Sequence, residues 1–198
     1  MLIQANGQFL GVVALADTPR EGARGVLEHL RRIGIRKTIM LTGDNERVGR
    51  AIAAAVGLDE VRAGLLPEDK VKAMEELGQR HGQVAMVGDG VNDAPAMARA
   101  TVGIAMGGAG TDVALETADV ALMADDLSKL PFAVALSRAS RRIIRQNLWV
   151  SLGVVALLIP ATLSGWAGIG LAVLIHEGST VVVVVNALRL LAYRQPGA

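Results

Sequence analysis

Val84-Ala85-Met86-Val87-Gly88-Asp89-Gly90-Val91-Asn92-Asp93 is the stretch whose reading decides the fold. Residues 84–87 are apolar, too short and too β-branched a run for a helix, and read as a buried strand of a parallel sheet. The strand stops at Gly88, which leaves Asp89 at its carboxyl end. Gly88 and Gly90 let the backbone turn tightly there and approach a ligand closely. Asn92 and Asp93 fall at the start of the next helix, where amide donors and the positive end of the dipole lie. Two carboxylates and an amide so close together suit a hard cation such as Mg²⁺, which prefers oxygen ligands. In open α/β sheets that edge is where ligands bind. Taken alone, Gly-Asp-Gly fits a helix N-cap with a solvated Asp equally well; its surroundings decide.

Strands and helices alternate on both sides of this stretch. Residues 9–15 read as a strand ending at Asp17, with Pro19 opening a helix that carries Ala23, Val26, Leu27, Leu30 and Ile33 at helical spacing. Residues 37–41 form a second strand, ending at Thr42-Gly43-Asp44-Asn45. A helix over 46–56 follows, stopped by Gly57, and 60–63 is a short third strand. Pro67 opens the next helix, with Glu68 and Asp69 in its first turn. Beyond residue 93 come a short helix from Ala94, a strand at 102–105, a glycine-rich turn at 107–110, a helix through Glu116 and a strand at 120–123. Such alternation implies an α/β fold with a parallel, doubly wound sheet.

The composition limits what such a chain can do. Its 198 residues hold one ordinary domain plus something small, and a net charge of +1 gives no field that would attract nucleic acid. The absence of cysteine excludes disulfides and thiolate metal sites. The amino terminus lacks the basic region and apolar core of a signal peptide. The apolar fraction is 52%, high for a soluble protein, and it is concentrated late in the chain. Arg138, Arg141, Arg142 and Arg145 cluster on a helix, after which no charged side chain occurs from Leu148 to Ile175. One straight helix over that stretch would measure about 42 Å, against a hydrocarbon core of about 30 Å. Pro160 and the glycines at 165, 168 and 170 offer a break. The reading is therefore two membrane spans, 147–164 and 169–190, joined by a very short turn. Arginines flank both outer ends, which places them and the α/β domain on the cytoplasmic side.

Several polar residues gather at one edge of the expected sheet: Asp17, Thr42 with Asp44, and Asp89 with Asp93. Thr42 offers a hydroxyl, the amides of Gly43 and its neighbours can hold a phosphate oxygen, and Lys70 can add a point charge to the same oxyanion. Singly, each has a dull explanation as a turn or a solvated charge. Together they compose a site for phosphate and Mg²⁺. A second polar stretch, His176-Glu177-Gly178-Ser179-Thr180, lies inside the last span. A carboxylate there costs about 3 kcal/mol on insertion scales, offset by about ten Leu, Ile and Val at roughly −0.4 kcal/mol each. An imidazole beside a carboxylate, with hydroxyls nearby, suits a borderline divalent cation of the Zn²⁺, Co²⁺, Ni²⁺ or Fe²⁺ class. The plainer alternatives are a polar interhelical bond or side chains that snorkel to the interface.

Thr42-Gly43-Asp44, Pro67-Glu68-Asp69-Lys70 and Gly88-Asp89-Gly90-Val91-Asn92-Asp93, with Ala94-Pro95-Ala96-Met97, Gly103-Ile104-Ala105-Met106-Gly107 and Ala118-Asp119-Val120, resemble the later phosphorylation-domain motifs of P-type ATPases. Those enzymes build that domain on a haloacid-dehalogenase-like fold. The resemblance implies that Asp89 binds the catalytic Mg²⁺, with Asp93 completing or supporting the site. It also implies that Asn92 orders the loop, Thr42 and Gly43 hold the phosphoryl group beside Asp44, and Lys70 neutralises it. The last span, with Asn186-Ala-Leu-Arg-Leu-Leu191, resembles the final helix of the cobalt/zinc-type heavy-metal pumps, so that His176, Glu177 and Thr180 would line the ion pathway. The implied organisation is a partial phosphorylation domain at 1–130, a basic linker helix at 131–146, a transmembrane hairpin at 147–190 and a cytoplasmic tail at 191–198.

The resemblance further implies ATP as substrate, Mg²⁺ as cofactor, a divalent heavy-metal cation as cargo and a multi-pass location in a bacterial plasma membrane. The family's Asp-Lys-Thr-Gly-Thr phosphorylation motif does not occur in this sequence. The nucleotide-binding and actuator domains and the earlier membrane helices are also missing, so the chain reads as the carboxyl-terminal part of a pump, with an amino-terminal portion as partner. A competing reading is a membrane-tethered phosphatase of the same superfamily with Asp17 as nucleophile. Against it, Pro19 stands where the general acid of such phosphatases is expected. A third is a non-catalytic membrane protein that binds Mg²⁺ or another metal.

Overall fold

A computed structural model describes residues 2–5, 7–12, 18–88, 92–107, 116–122 and 126–194. Asp17, Asp89 and most of the glycine-rich turn at 107–110 therefore lie outside the described residues. The chain forms two compact units, Met1–Lys129 and Leu130–Ala198.

The first unit opens with a hairpin where the sequence predicts one strand. β1 (Leu2–Ala5) and β2 (Gln8–Val12) pair antiparallel, with Ala5 opposite Gln8. The Asn6-Gly7 dipeptide between them favours tight hairpins, and Gly7 takes φ 77°. α1 (Ala23–Arg32) begins later than the sequence predicts. Pro19 precedes it, and Gly22, at φ 77°, sits in the left-handed region that a right-handed helix cannot include. Ala23, Val26 and Leu30 supply its buried stripe.

A βαβ unit follows. β3 (Ile39–Leu41) and β4 (Glu60–Arg62) run parallel, Ile39 opposite Glu60 and Leu41 opposite Arg62. α2 (Glu46–Val56) connects them. Its ends are fixed as the sequence predicts: Asn45 Oδ1 accepts from the Val48 amide at 3.0 Å, and Gly57 closes the helix at φ 84°. A Cβ on Gly49 would lie 3.1 Å from Val61 Cγ1, so the missing side chain is what lets α2 lie close on β4. Arg31 bonds Asp59 at 2.8 Å and also the Gly57 carbonyl. The hydroxyl and amide of Thr38, and then Arg31, hold the Asp59 carboxyl below its ordinary range.

α3 (Pro67–His81) starts at Pro67, and Asp69 Oδ2 accepts from the Leu66 amide at 3.2 Å. It leads to β5 (Ala85–Gly88), a single helical turn α4 (Ala94–Met97), β6 (Val102–Met106) and β7 (Val120–Leu122). These strands make a parallel sheet with β6 in the middle. Among the described residues no ladder joins it to β3–β4, yet Ile39 and Leu41 pack on the same core of Met74, Leu77, Met86, Ala94, Ala96 and Met97. The architecture is the α/β fold with parallel strands that the alternation predicts. One expectation needs correction: β5 is not buried throughout, since Met86 is buried but Ala85 is exposed. That strand is covered on one face only.

The second unit is a helical hairpin. α5 (Lys129–Leu163) runs 35 residues, taking the arginine cluster and the uncharged stretch in one helix. It passes through Pro160 without breaking there, because a proline near the end of a helix forfeits only one bond of the last turns. The chain turns instead at the glycines: Gly165 takes φ 75°, and the Ala167 amide bonds the Ala161 carbonyl at 3.0 Å. α6 (Ile169–Leu188) returns and finishes in a 3-10 turn, Arg189–Ala192. Both helices are long and apolar enough to cross a membrane. They carry large exposed apolar side chains, with Trp149 74% and Leu174 70% exposed, as lipid-facing surfaces do.

Candidate functional site

Of the polar residues predicted from the sequence, Thr42, Asp44 and Asp93 are described, each following the carboxyl end of a parallel strand. After β3 the chain turns through Thr42-Gly43-Asp44. The Thr42 hydroxyl donates to Asp44 Oδ2 at 2.9 Å and accepts from the Asp44 amide at 3.1 Å, which closes the turn on itself. The segment after β4 is laced onto this turn: Gly64 N bonds Asp44 O at 2.7 Å, and Leu65 N bonds Thr42 O at 3.0 Å. A Cβ on Gly43 would lie 3.3 Å from the Leu65 carbonyl oxygen, so glycine permits the close approach. Leu66 then caps α3, and Lys70 lies in that helix's first turn, its amide bonded to Leu66 O at 3.0 Å. Thr42 and Lys70 are thus tied together through a few residues of backbone.

Lys70 reaches Asp93 across the sheet edge. Its Nζ donates to Asp93 Oδ1 at 2.7 Å, and both side chains are only 17% exposed. The other side of Asp93 rests on β5: a Cβ built on Gly88 would sit 2.7 Å from Asp93 Oδ2 and 2.9 Å from its Cβ. Asp93 is therefore gripped between an ammonium group and a glycine backbone. Asn92 is exposed beside it, and Asp89 lies outside the described residues. The structure brings Lys70 and Asp93 into contact and ties the Thr42 turn to the helix that carries Lys70. The pairing of Lys70 with Asp93, 23 positions apart, has no signal in the sequence beyond the two residue types.

The helical hairpin holds a second feature. A groove of ≈ 320 Å³ lies between α5 and α6, lined by apolar side chains together with His176 and Glu177 on α6 and Thr162 on α5. Thr162 is a polar residue that sequence reading passes over, since a single threonine in an apolar span carries no pattern. Thr180 does not line the groove. Its hydroxyl, and that of Ser179, turn back onto the His176 carbonyl at 3.3 and 2.6 Å. Among the described residues no cluster of three or more His, Asp and Glu could hold a metal ion.

A family model described as haloacid dehalogenase-like hydrolase matches residues 2–101. The chain belongs to the haloacid dehalogenase-like family. Its relatives within that family are metal pumps. It is 52% identical over 194 residues to the zinc/cadmium/lead-transporting P-type ATPase of Escherichia coli strain K12, covering 98% of this chain and 26% of that protein. It is 49% identical over 191 residues to a probable cadmium-transporting ATPase of Staphylococcus aureus strain MRSA252, covering 96% of this chain and 26% of the relative. A crystal structure of a zinc-transporting PIB-type ATPase in an E2·Pi state matches with 51% identity and a TM-score of 0.84, covering 96% of this chain and 31% of that one. These matches bear out the resemblance to P-type ATPases read from the motifs. The chain spans about a quarter of the length of the curated relatives it matches.

In this haloacid dehalogenase-like domain the chemistry of the donor set fits a phosphate and a hard cation: an ammonium group and a carboxylate meet after β5, and a hydroxyl closes the turn after β3. The fit leaves no room for a side chain at Gly88. Gly88→Ala is expected to displace Asp93 or β5 and to destabilise the domain by about 1–3 kcal/mol, the usual cost of overpacking. Thermal unfolding of the two proteins in detergent measures it. An unchanged melting temperature would mean that Asp93 swings aside freely.

Proposed function

We propose that this chain is the carboxyl-terminal part of an ATP-driven exporter of divalent heavy-metal cations. In this reading residues 1–130 are part of the phosphorylation domain, 131–146 a basic linker helix, 147–190 the last transmembrane hairpin and 191–198 a tail. The α/β domain faces the cytoplasm and the hairpin crosses a bacterial plasma membrane. The observation that carries the proposal is the Lys70–Asp93 pair, held at 2.7 Å where parallel strands end and bound through Leu65 to the Thr42 turn. Phosphoryl transfer asks of a protein chiefly positioning and charge stabilisation, and this arrangement supplies both.

The proposed roles are these. The Thr42 hydroxyl and the amides after it hold a phosphoryl oxygen, and the Lys70 ammonium balances its charge. Asp93, with one oxygen engaged by Lys70, keeps that ammonium in place, and together with Asp89 it would hold Mg²⁺. When bound, the ion neutralises charge on the transferring phosphoryl group. Asn92 orders the connecting loop, and Asp44 fixes the rotamer of Thr42. The acceptor aspartate and the nucleotide site come from sequence outside this chain, since it contains no Asp-Lys-Thr-Gly-Thr.

His176 and Glu177 are the hairpin's contribution to the membrane cation site. They offer two side-chain ligands, short of the four of a tetrahedral Zn²⁺ centre, so the remainder would come from other helices. The names of the relatives point to Zn²⁺, Cd²⁺ or Pb²⁺ as cargo, a softer set than the Co²⁺, Ni²⁺ and Fe²⁺ that the polar stretch alone also admits. Transporters, not phosphatases, carry the high identity over this chain, which leaves Asp17 without support as a nucleophile. The test is co-expression with the upstream portion of a relative, followed by ATPase assays across a panel of divalent metals. ATP hydrolysis stimulated by Zn²⁺, Cd²⁺ or Pb²⁺ is expected. Hydrolysis of a generic phosphate ester by the chain alone, lost in Asp17→Asn, would overturn the reading in favour of the phosphatase.

A further inference from the structure

The two membrane helices are joined by polar contacts that none of the roles above uses. Asn186 Nδ2 on α6 donates to Asn147 Oδ1 on α5 at 2.8 Å and to Gln146 Oε1 at 3.3 Å. Asn147 Nδ2 returns a bond to the backbone carbonyl of Val183 at 3.3 Å. Arg189 donates to Asn186 Oδ1 at 2.9 Å, which fixes the amide's orientation. All these groups lie at one end of the hairpin, where the uncharged stretch of α5 begins and the apolar run of α6 ends.

An amide in lipid has few alternative partners, so bonds between helices hold them at one axial offset; a buried asparagine fixes register in coiled coils for the same reason. Such specification matters here because the other side chains between α5 and α6 are mostly apolar. Slippage of one helix by a turn would cost little packing. The offset that the asparagines set has a consequence farther along. Glu177 lies nine residues along α6 from Asn186, and Val155 lies eight residues along α5 from Asn147. Counted from the clasp, they face each other, and both line the same groove.

We propose that Asn147 and Asn186, latched by Arg189, are positioning residues for the membrane cation site: they set the register of α5 against α6 that brings His176 and Glu177 into one groove with Val155 and Thr162. The functional part of this inference rests on the exporter reading; the register part does not. Neither asparagine touches the cation. Losing the clasp therefore raises the metal concentration needed for half-maximal activity and leaves the ATP requirement unchanged, because the nucleotide is handled elsewhere.

The experiment has two arms. The chain contains no cysteine, so Leu158→Cys with Val173→Cys gives a spin-label pair across the groove without background. In the full chain in lipid nanodiscs, pulsed EPR is expected to show one narrow distance distribution. Asn186→Leu and Asn147→Leu should broaden or split it, while Asn147→Asp, which keeps the acceptor for Asn186, should leave it narrow. In the second arm the same variants, without labels, are assayed with the upstream portion. Half-activation by Zn²⁺ should shift upward about threefold to tenfold in the leucine variants, the size of one or two interhelical hydrogen bonds in lipid. It should remain near wild type in Asn147→Asp. An unchanged distance distribution in both leucine variants overturns the clasp, and so does a broadened distribution with unaltered Zn²⁺ dependence. If the wild-type pair shows no metal stimulation at all, the exporter reading falls. The first arm, made on this chain alone, then decides the register role by itself.

Discussion

Lys70→Met is expected to lower metal-stimulated ATP hydrolysis by the assembled pump about 10²–10³-fold, the usual loss when one preorganised charge-stabilising group is removed. Two effects combine in that variant. The phosphoryl oxygens lose a cation, and Asp93 keeps a carboxylate that is only 17% exposed with no partner for Oδ1. Stranding it costs about 2–3 kcal/mol of stability, below the usual range for breaking a fully buried pair, because some solvent still reaches it. The two effects separate in the double variant Lys70→Met/Asp93→Leu. Replacing both partners by apolar groups should recover much of the lost stability without recovering activity. Lys70→Arg should not rescue turnover either, since a planar guanidinium does not fit a space shaped for a compact ammonium. Steady-state ATPase rates and thermal unfolding, measured side by side, check all of this. Near-wild-type turnover in Lys70→Met would remove the residue from the site.

Glu177→Ala should abolish stimulation by Zn²⁺, Cd²⁺ or Pb²⁺ while making the hairpin easier to insert. A carboxylate within a span costs about 3 kcal/mol on insertion scales, so its removal favours the membrane-embedded state. Function and insertion thus move in opposite directions, which a merely structural role for Glu177 does not predict. Thr180→Val serves as the contrast. Its hydroxyl is occupied by the His176 carbonyl at 3.3 Å and does not line the groove, so metal dependence should stay close to wild type. Metal-dependent ATPase assays with expression levels in membranes read both quantities. A Glu177→Ala pump that still answers to metal would end the assignment of this helix to the cation pathway.

What was legible in the sequence follows a physical divide. Helix ends were readable because caps are local: Asn45 and Gly57 bound α2, and Pro67 opens α3, each through atoms within a few residues. The two long apolar helices were readable because an uncharged stretch of such length has few other uses. Where local signals compete, the reading slipped. Pro19 looked like a helix start, but Gly22 in a left-handed conformation delayed α1. Pro160 and the glycines at 165, 168 and 170 both offer a break, and only the glycines make the turn. The strand expected at 9–15 is, over its described part, the second arm of a hairpin whose Asn6-Gly7 signal stands in the sequence.

By itself, then, the sequence determined most of the strands and helices, which stretch is apolar and long enough to cross a membrane, and which chemical groups follow the strands. Only the tertiary structure decided who meets whom. Lys70 takes Asp93 across 23 positions, Asp93 leans on the bare backbone of Gly88, Thr162 faces the groove of Glu177, and Asn147 finds Asn186 at a separation of 39. Periodicity and capping depend on neighbours along the chain, and the sequence states those directly. A partner's identity depends on packing between distant segments, and many partners of the same residue type would satisfy the sequence equally well.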